Sequence, residues 1–261
     1  PLAHRTETNR SKPAASLLKK SNTVPRSGNR NTIWMATVNG SRVMHSAPTV
    51  RFHMTTNQKP GTAITEVIGV VLAGGKSSRM GRDKATLELA GEPLLLRARK
   101  ALQAAGCSRV LLSGAPRPNW TDETITDIAP ESGPVGGIIS ALRAISLQSA
   151  LPVTLVFIPV DTPLLSPALL QDLIKVIGEN DGCTIDDAPL PLSLRTTDVV
   201  LNQCALTLPD LLQGKSVSVR RFLQPLTLAR MQQSNAMKSL LINVNTPTEW
   251  ESLNRELENR T

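Results

Sequence analysis

A glycine-rich segment followed by positive charge is the part of the sequence with the most specific chemical content. Residues 72–84 read LAGGKSSRMGRDK, in which Gly74 and Gly75 are adjacent and Arg79 and Lys84 supply cations. Adjacent glycines let the backbone approach a phosphate or a base closely, and successive amides can form an anion-binding concavity. Arginine and lysine can then neutralise a polyphosphate. The segment predicts a nucleotide-binding loop, and a glycine-rich turn with solvated cations is the alternative.

The sequence also excludes several other kinds of chemistry. Neither Gly-x4-Gly-Lys-Ser/Thr nor Gly-x-Gly-x-x-Gly occurs in the glycine-rich segment, so it is not a P-loop or a dinucleotide fingerprint. All three histidines, His4, His45 and His53, precede residue 54. Histidine triads and histidine-ligated zinc therefore have no candidate in the remaining chain. Catalysis there is left to carboxylates, lysine, arginine and backbone amides.

Asp161 is the candidate metal ligand. It follows an apolar run and lies two residues before Pro163, where an isolated acid has little structural purpose. Mg²⁺ prefers oxygen ligands and often takes only one or two from the protein, with phosphate oxygens and water completing its shell. We expect Asp161 to bind Mg²⁺, and capping of a helix or turn is the alternative role.

Short apolar runs that alternate with helical patterns must position these groups. Predicted strands cover Val67–Leu72, Arg109–Ser113, Thr124–Thr126, Val153–Ile158, Cys183–Ile185 and Pro191–Leu194. Predicted helices cover Pro93–Ala105, Gly136 to about Leu147, Val199–Leu206 and Val217–Leu223, and further helices start at Ser166-Pro167 and at the capping box Thr246-Pro247-Thr248-Glu249. The alternation predicts an α/β fold with a single Rossmann-like, doubly wound, mostly parallel sheet and helices on both faces.

Basic residues are concentrated at the N-terminus. Ten Lys and Arg stand against Glu7 alone before Pro60, whereas the remainder holds 19 basic and 20 acidic residues. We predict a disordered basic extension over residues 1–60 and a catalytic domain over 61–261. The extension is interpreted as a tail or as residues upstream of a start at Met54, and a targeting segment is the alternative. Because the folded part is nearly neutral, we expect it to have no nucleic-acid partner.

Cysteine usage and hydropathy suggest a compartment. Cys107, Cys183 and Cys204 are odd in number and widely spaced, which argues against a disulfide framework and a zinc site. No apolar run approaches the roughly 18 residues of a membrane span. We expect a soluble, cytoplasmic protein without a membrane partner.

Four segments together resemble one enzyme family. The string Leu-Ala-Gly-Gly-x3-Arg-Met-Gly-x2-Lys is similar to the signature of the bacterial molybdenum cofactor guanylyltransferases, which belong to the α/β nucleotidyltransferases. Residues 133–137 (GPVGG), 159–163 (PVDTP) and 243–247 (NVNTP) match the same family in the same order. The resemblance spans Val67 to about Leu257, and the N-terminal extension has no counterpart in it.

The resemblance implies a reaction, its partners and its residues. GMP would pass from GTP to the phosphate of molybdopterin with Mg²⁺ as cofactor, and other proteins of cofactor biosynthesis would make transient contact. The implied catalytic residues are Lys84, Asp161 and Arg79, and the implied nucleotide-binding residues are Leu72, Ala73, Gly74, Gly75, Lys84, Asp127 and Asp161. Asn243 and Asn245, which flank a valine in an apparent strand and so would share one face, are implied to bind molybdopterin; a turn role is the alternative for Asn245.

One residue departs from the family pattern, and three other functions stay open. Ser113 stands where the family commonly has asparagine, and serine has a shorter reach and no amide. A cytidylyltransferase or sugar-phosphate nucleotidyltransferase could use the same loop, and a nucleotide-binding module could have lost catalysis. Nucleic-acid binding through residues 1–60 is disfavoured, because interleaved aromatic residues are lacking there.

Overall fold

The computed structural model describes residues 66–74, 87–149 and 152–258, together with the backbone of 37–38 and 41–42. The chain divides into two units, Pro1–Gln58 and Lys59–Thr261. Within the first unit, strands Thr37–Val38 (β1) and Ser41–Arg42 (β2) pair antiparallel. We predicted that residues 1–60 are disordered. Apart from the two short strands, these residues lie outside the part of the chain that the structure describes. The predicted domain boundary between residues 60 and 61 stays a prediction.

The second unit alternates strands and helices along the chain. Its strands are β3 (Val67–Leu72), β4 (Glu88–Leu89), β5 (Glu92–Pro93), β6 (Arg109–Ser113), β7 (Thr124–Ile125), β8 (Thr154–Pro159), β9 (Gly182–Ile185), β10 (Ala188–Arg195) and β11 (Leu228–Met231). Its helices are α1 (Leu94–Ala104), α2 (Pro134–Gln148), α3 (Pro167–Lys175), α4 (Asp198–Leu212), α5 (Val219–Leu223), α6 (Asn235–Leu240) and α7 (Pro247–Glu258).

Seven of these strands form one sheet in the order β11-β9-β10-β8-β3-β6-β7. Strand β10 is antiparallel to both of its neighbours, and the other neighbouring pairs are parallel, which confirms the predicted mostly parallel sheet. The chain moves from β3 outward through β6 to β7 and then returns to β8 on the other side of β3. This reversal of strand order opens a crevice beyond the carboxyl ends of β3 and β8.

Helices cover both faces of the sheet, as predicted. Because alternate residues of a strand face opposite sides, Val70 joins a core with α2, α4 and α5, whereas Val71 joins a core with α1 and α3. Helix α2 buries Ile138, Leu142 and Ile145 completely, since its apolar residues recur every three or four positions. Each such side chain contributes about 1.5–3 kcal/mol of burial free energy, so α2 is firmly fixed on the sheet.

The predicted helix starts at Ser166 and Thr246 are both confirmed. The hydroxyl of Ser166 accepts a hydrogen bond from the Leu169 N–H at 3.2 Å. Thr246 Oγ1 accepts from the Glu249 N–H at 3.3 Å, and the Glu249 carboxylate accepts in return from the Thr246 N–H at 3.1 Å. These reciprocal bonds form the predicted capping box, which fixes the point where the chain turns into α7.

Other elements differ from the predictions. Helix α4 continues to Leu212 instead of ending at Leu206, because the buried Leu211 extends its apolar face past Pro209. Strand β11 and helix α6 were not predicted, and residues 242–245 form no strand. No helix in the described part of the chain is long and apolar enough to span a bilayer.

Candidate active site

A cleft of about 580 Å³ opens at the carboxyl ends of the parallel strands. Leu72, Ser113 and Pro159, the last residues of β3, β6 and β8, line it, and Leu72 pairs with Pro159 where the strand order reverses. Open α/β sheets bind their ligands at this position. The lining has two main parts. The strand-end wall comprises Leu72, Gly74, Ser113, Asp127 and Gly137, and the C-terminal wall comprises Gln233, Lys238, Leu241 and Asn243.

The chain leaves β3 along a tightly held path. The Ala73 N–H donates to the Ser113 carbonyl at 3.0 Å, and the Ala73 carbonyl accepts from the Arg117 guanidinium at 3.2 Å. Gly114 packs against this path, since a Cβ on it would lie 3.1 Å from the Gly74 nitrogen. The entry to the predicted loop is therefore fixed by the end of β6. Gly75, Arg79 and Lys84 themselves lie outside the described residues.

Asp127 is held at the floor of the cleft by Ser113. Ser113 is 1% exposed, and its hydroxyl donates to Asp127 Oδ1 at 2.9 Å. Burial raises the pKa of Asp127, and the hydrogen bond from Ser113 opposes that rise. A Cβ on Gly74 would lie 2.8 Å from Asp127 Oδ2, so the absence of a side chain at position 74 leaves room for the carboxylate. Ser113, the departure from the family pattern, thus contacts a predicted nucleotide-binding residue.

The first turn of α2 lies next to the strand-end wall and contributes Gly137 to it. Gly133, with φ of 72°, precedes the helix and provides no side-chain cap, and Gly133, Pro134 and Gly137 all line the cleft. A helix N-terminus carries partial positive charge, which favours anions nearby. A Cβ on Gly137 would lie 2.5 Å from Ser113 Oγ, so the glycine permits the close approach of α2.

Asp161 connects the strand-end side of the cleft to the C-terminal wall. It lies two residues after β8, is half-buried and lines the cleft. Its carbonyl accepts from the Val244 N–H at 2.9 Å, which fixes the chain beside Asn243 against the end of β8. The structure thus brings Asp161 and Asn243 together with Gly74 and Asp127 at one cleft.

The two predicted asparagines differ in position. Asn243 lines the cleft and accepts from the Thr162 hydroxyl at 3.3 Å. Asn245 is not among the lining residues, and its N–H donates to the Glu249 carboxylate at 2.7 Å. The expectation that both side chains share one strand face was wrong, because the capping box turns the chain into α7 before a strand can form. Their predicted binding of molybdopterin stays a prediction.

Sequence reasoning did not identify several lining residues. Lys238 is the only Lys or Arg among the lining residues in the described part of the chain, and it lies on α6. Gln233, two residues before the start of α6, also lines the cleft. Asp187, with φ of 61°, stands at the turn between β9 and β10 and also lines the cleft. The only feature of the sequence that could have pointed to Lys238 is its position five residues before Asn243. That position is not part of a helical or strand-like periodic pattern.

The three cysteines are free and buried. Burial raises the pKa of Cys107 and Cys204 to about 12 and that of Cys183 to about 11. All three thiols are therefore protonated at neutral pH, and none of them lines the cleft. The described cleft offers no thiolate nucleophile.

Comparison with known proteins gives consistent matches. A family model described as the MobA-like NTP transferase domain matches residues 69–240. A molybdenum cofactor guanylyltransferase of Xanthomonas euvesicatoria pv. vesicatoria is 38% identical over 201 residues, which cover 77% of this chain and 98% of the relative. A probable molybdenum cofactor guanylyltransferase of Chloroflexus aggregans is 36% identical over 143 residues, covering 53% of this chain and 66% of the relative.

Solved structures share the fold at low identity. Molybdopterin-guanine dinucleotide biosynthesis protein A from Archaeoglobus fulgidus superposes with a TM-score of 0.58 at 19% identity, covering 74% of this chain and 99% of that one. A 2-C-methyl-D-erythritol 4-phosphate cytidylyltransferase from Thermus thermophilus gives 0.52 at 13% identity, covering 72% and 98%. Because these names denote different reactions, the shared fold alone does not distinguish guanylyl from cytidylyl transfer.

Proposed function

This chain belongs to the MobA-like NTP transferase domain family, and from that premise we propose that it transfers GMP from GTP to the phosphate of molybdopterin. The products are molybdopterin guanine dinucleotide and pyrophosphate. The observation that carries the proposal is the 38% identity over 98% of the length of a molybdenum cofactor guanylyltransferase. The cleft at the reversal of strand order supports it independently, since that is where such a sheet takes a nucleotide.

The reaction requires no general base. An oxygen of the molybdopterin phosphate attacks the α-phosphorus of GTP in line, and the bond to pyrophosphate breaks as the new one forms. The attacking oxygen is already anionic at neutral pH, which suits a chain without histidine after residue 53. Catalysis then consists of positioning two polyanions and offsetting their charge.

The donor nucleotide occupies the strand-end wall in this proposal. The backbone at Gly74 can approach the nucleotide closely, and Asp127 offers an acceptor to its hydroxyl or N–H groups. Arg79 and Lys84, which lie outside the described residues, bind the triphosphate and the charge that grows on the leaving pyrophosphate. The N-terminus of α2 adds partial positive charge to the same side.

Asp161 is the proposed Mg²⁺ ligand, and its surroundings fit that ion. Its carboxylate is a hard oxygen donor at the cleft. No group of three or more His, Cys, Asp or Glu that could hold a metal occurs among the described residues, so the fit is to an ion that takes most ligands from phosphate and water. When bound, Mg²⁺ would neutralise phosphate charge and orient the triphosphate.

The acceptor occupies the C-terminal wall. Lys238 supplies positive charge on a lining that otherwise carries Asp127, Asp161 and Asp187. A cation here offsets the negative charge of the acceptor phosphate as it approaches these carboxylates. Asn243 adds an amide that can donate to the acceptor.

Compartment and protein partners complete the proposal. Three cysteines that are free and buried suit a reducing, cytoplasmic setting. Transient contact with other proteins of cofactor biosynthesis would supply the acceptor and receive the product.

Nucleotide selectivity with the authentic acceptor tests the proposed function. The purified protein is incubated with molybdopterin, Mg²⁺ and either GTP, CTP or UTP, while pyrophosphate release and the mass of the product are followed. Pyrophosphate and the guanine dinucleotide from GTP alone are expected. Product formed from CTP instead would identify a cytidylyltransferase, and pyrophosphate from none of the three would indicate a nucleotide-binding module without catalysis.

A further inference from the structure

We propose that Ser113 is a positioning residue, which acts on the bound nucleotide through Asp127 and not by touching the nucleotide. The inference deepens the proposed function and rests on it, since it concerns how the donor GTP is held. The observation behind it is that Ser113, which lines the cleft but is only 1% exposed, donates its hydroxyl hydrogen to Asp127 Oδ1 at 2.9 Å.

Burial and reach argue against a direct contact between Ser113 and the nucleotide. Ser113 is 1% exposed, whereas Asp127 is half-buried and lines the same cleft. A serine hydroxyl has a single hydrogen to donate, and in Ser113 that hydrogen is directed to Asp127. The carboxylate is thus the member of the pair that can meet a ligand.

The hydrogen bond fixes which carboxylate oxygen is available. Oδ1 accepts from Ser113, while Oδ2 lies on the side of Gly74, where a Cβ would approach it to 2.8 Å. An ionised carboxylate only accepts hydrogen bonds, so Oδ2 is suited to ribose hydroxyls or base N–H groups of a nucleotide. The bond from Ser113 also favours the charged form of Asp127, so it opposes the rise that burial causes in the pKa of this carboxyl group.

Two glycines leave the space that this pair needs. A Cβ on Gly137 would lie 2.5 Å from Ser113 Oγ and 3.0 Å from Leu72 Cδ2, and position 74 is similarly restricted beside Asp127. Asparagine has two more heavy atoms than serine, so the space around position 113 suits serine better. The indirect role therefore explains why this chain can depart from the asparagine common in the family.

A double-mutant cycle on GTP affinity tests the coupling. The dissociation constant for GTP with Mg²⁺ is measured by calorimetry for the full chain, Ser113→Ala, Asp127→Ala and the double variant. Ser113→Ala is expected to weaken binding by about tenfold, the effect of losing one hydrogen bond to a charged group. Asp127→Ala is expected to weaken it at least as much, and the double variant should match Asp127→Ala within about twofold.

Ser193→Ala is the matched control for lost stability. Ser193 is equally buried and donates to the Leu173 carbonyl at 2.9 Å, but it does not line the cleft. It should lower the melting temperature comparably and leave GTP affinity unchanged. If the two single-variant losses of GTP affinity multiplied in the double variant, this inference would be overturned. Unchanged GTP affinity in Ser113→Ala would also overturn it. Either result would leave the proposed function intact. If the unmodified chain bound no GTP, the proposed function would fail and this inference with it.

Discussion

The two walls of the cleft are built in different ways. The strand-end wall comes from the ends of packed parallel strands. Ser113 is buried there, and a Cβ would lie 2.5 Å from Ser113 Oγ at position 137 and 2.8 Å from Asp127 Oδ2 at position 74. The C-terminal wall comes from α6 and the chain after it, and α6 is six residues long and contains no buried residue. In the proposed function, the donor nucleotide therefore meets a preformed surface, whereas the acceptor meets side chains presented from the surface.

Removing the carboxylate that stands between the walls should have the largest effect. Asp161→Ala is expected to reduce kcat by about 10³-fold or more, because charge stabilisation at the reacting phosphates is lost. Lys84→Ala should act similarly. Pyrophosphate release measures the loss, and the melting temperature should stay close to that of the unmodified protein.

Asp172→Ala is a suitable control for that substitution, since Asp172 is exposed on α3 and does not line the cleft. It should leave turnover unchanged. Near-normal activity in both Asp161→Ala and Lys84→Ala would remove the proposed mechanism.

Adding a methyl group should damage the strand-end wall next most strongly. Gly137→Ala places its Cβ 2.5 Å from Ser113 Oγ in a packed region, so we expect a loss of about 1–3 kcal/mol in stability together with weaker GTP binding. Gly74→Ala should cost less, because the Asp127 carboxylate can rotate away. Thermal unfolding and GTP titration measure both variants; full stability and affinity in Gly137→Ala would mean that this wall is not preformed.

The strand-end wall was also the more predictable of the two from sequence. Strands β3, β6 and β8 were predicted within one residue at each end, because their apolar runs end abruptly. Gly74, Asp127 and Asp161 were implied together as nucleotide-binding residues by the family resemblance. Parallel strands that run to one edge bring their carboxyl ends together, which agrees with that placement. The hydrogen bond between Ser113 and Asp127 could not be foreseen, because it depends on the spacing of β6 from the chain after β7.

The C-terminal wall was mostly missed, for a physical reason. Helix α6 is too short to show a period, and β11 is a four-residue edge strand with a charged residue at its third position. Tertiary packing of Met237 and Leu240 against the core holds this region, and such contacts leave no local pattern. Lys238 was therefore not a candidate, and Asn245 was expected at the cleft although the capping box directs the chain into α7.

Lys238→Ala should change the C-terminal wall alone. We expect the KM for molybdopterin to rise by about tenfold while the dissociation constant for GTP stays the same, because the lost charge faces the acceptor phosphate. Lys238→Arg should retain most of the affinity. Lys215→Ala removes an exposed lysine that pairs with Asp210 at 2.8 Å, and it should change neither constant. Weaker GTP binding in Lys238→Ala would contradict the division between the walls.

Asp127→Asn should show the smallest effect, a small gain in stability at neutral pH. Burial raises the pKa of Asp127, so the folded state holds its proton more tightly than the unfolded state does. Stability of the unmodified protein therefore falls as pH rises from the ordinary aspartate pKa through the raised one. The melting temperatures of the unmodified protein and of Asp127→Asn should therefore converge as pH falls through that range. GTP binding should be weaker in the variant at pH 7. An advantage for Asp127→Asn that grows toward acid pH would contradict this sign.

All the proposed residue roles require the donor nucleotide to bind at the strand-end wall, where the order of strands reverses. A crystal structure of the protein with GTP and Mg²⁺ tests it most directly, since transfer cannot proceed without the acceptor. We expect the nucleotide to lie against Gly74 and Asp127, with the metal on Asp161. A nucleotide bound elsewhere, with Asp161 remote from any metal, would contradict it.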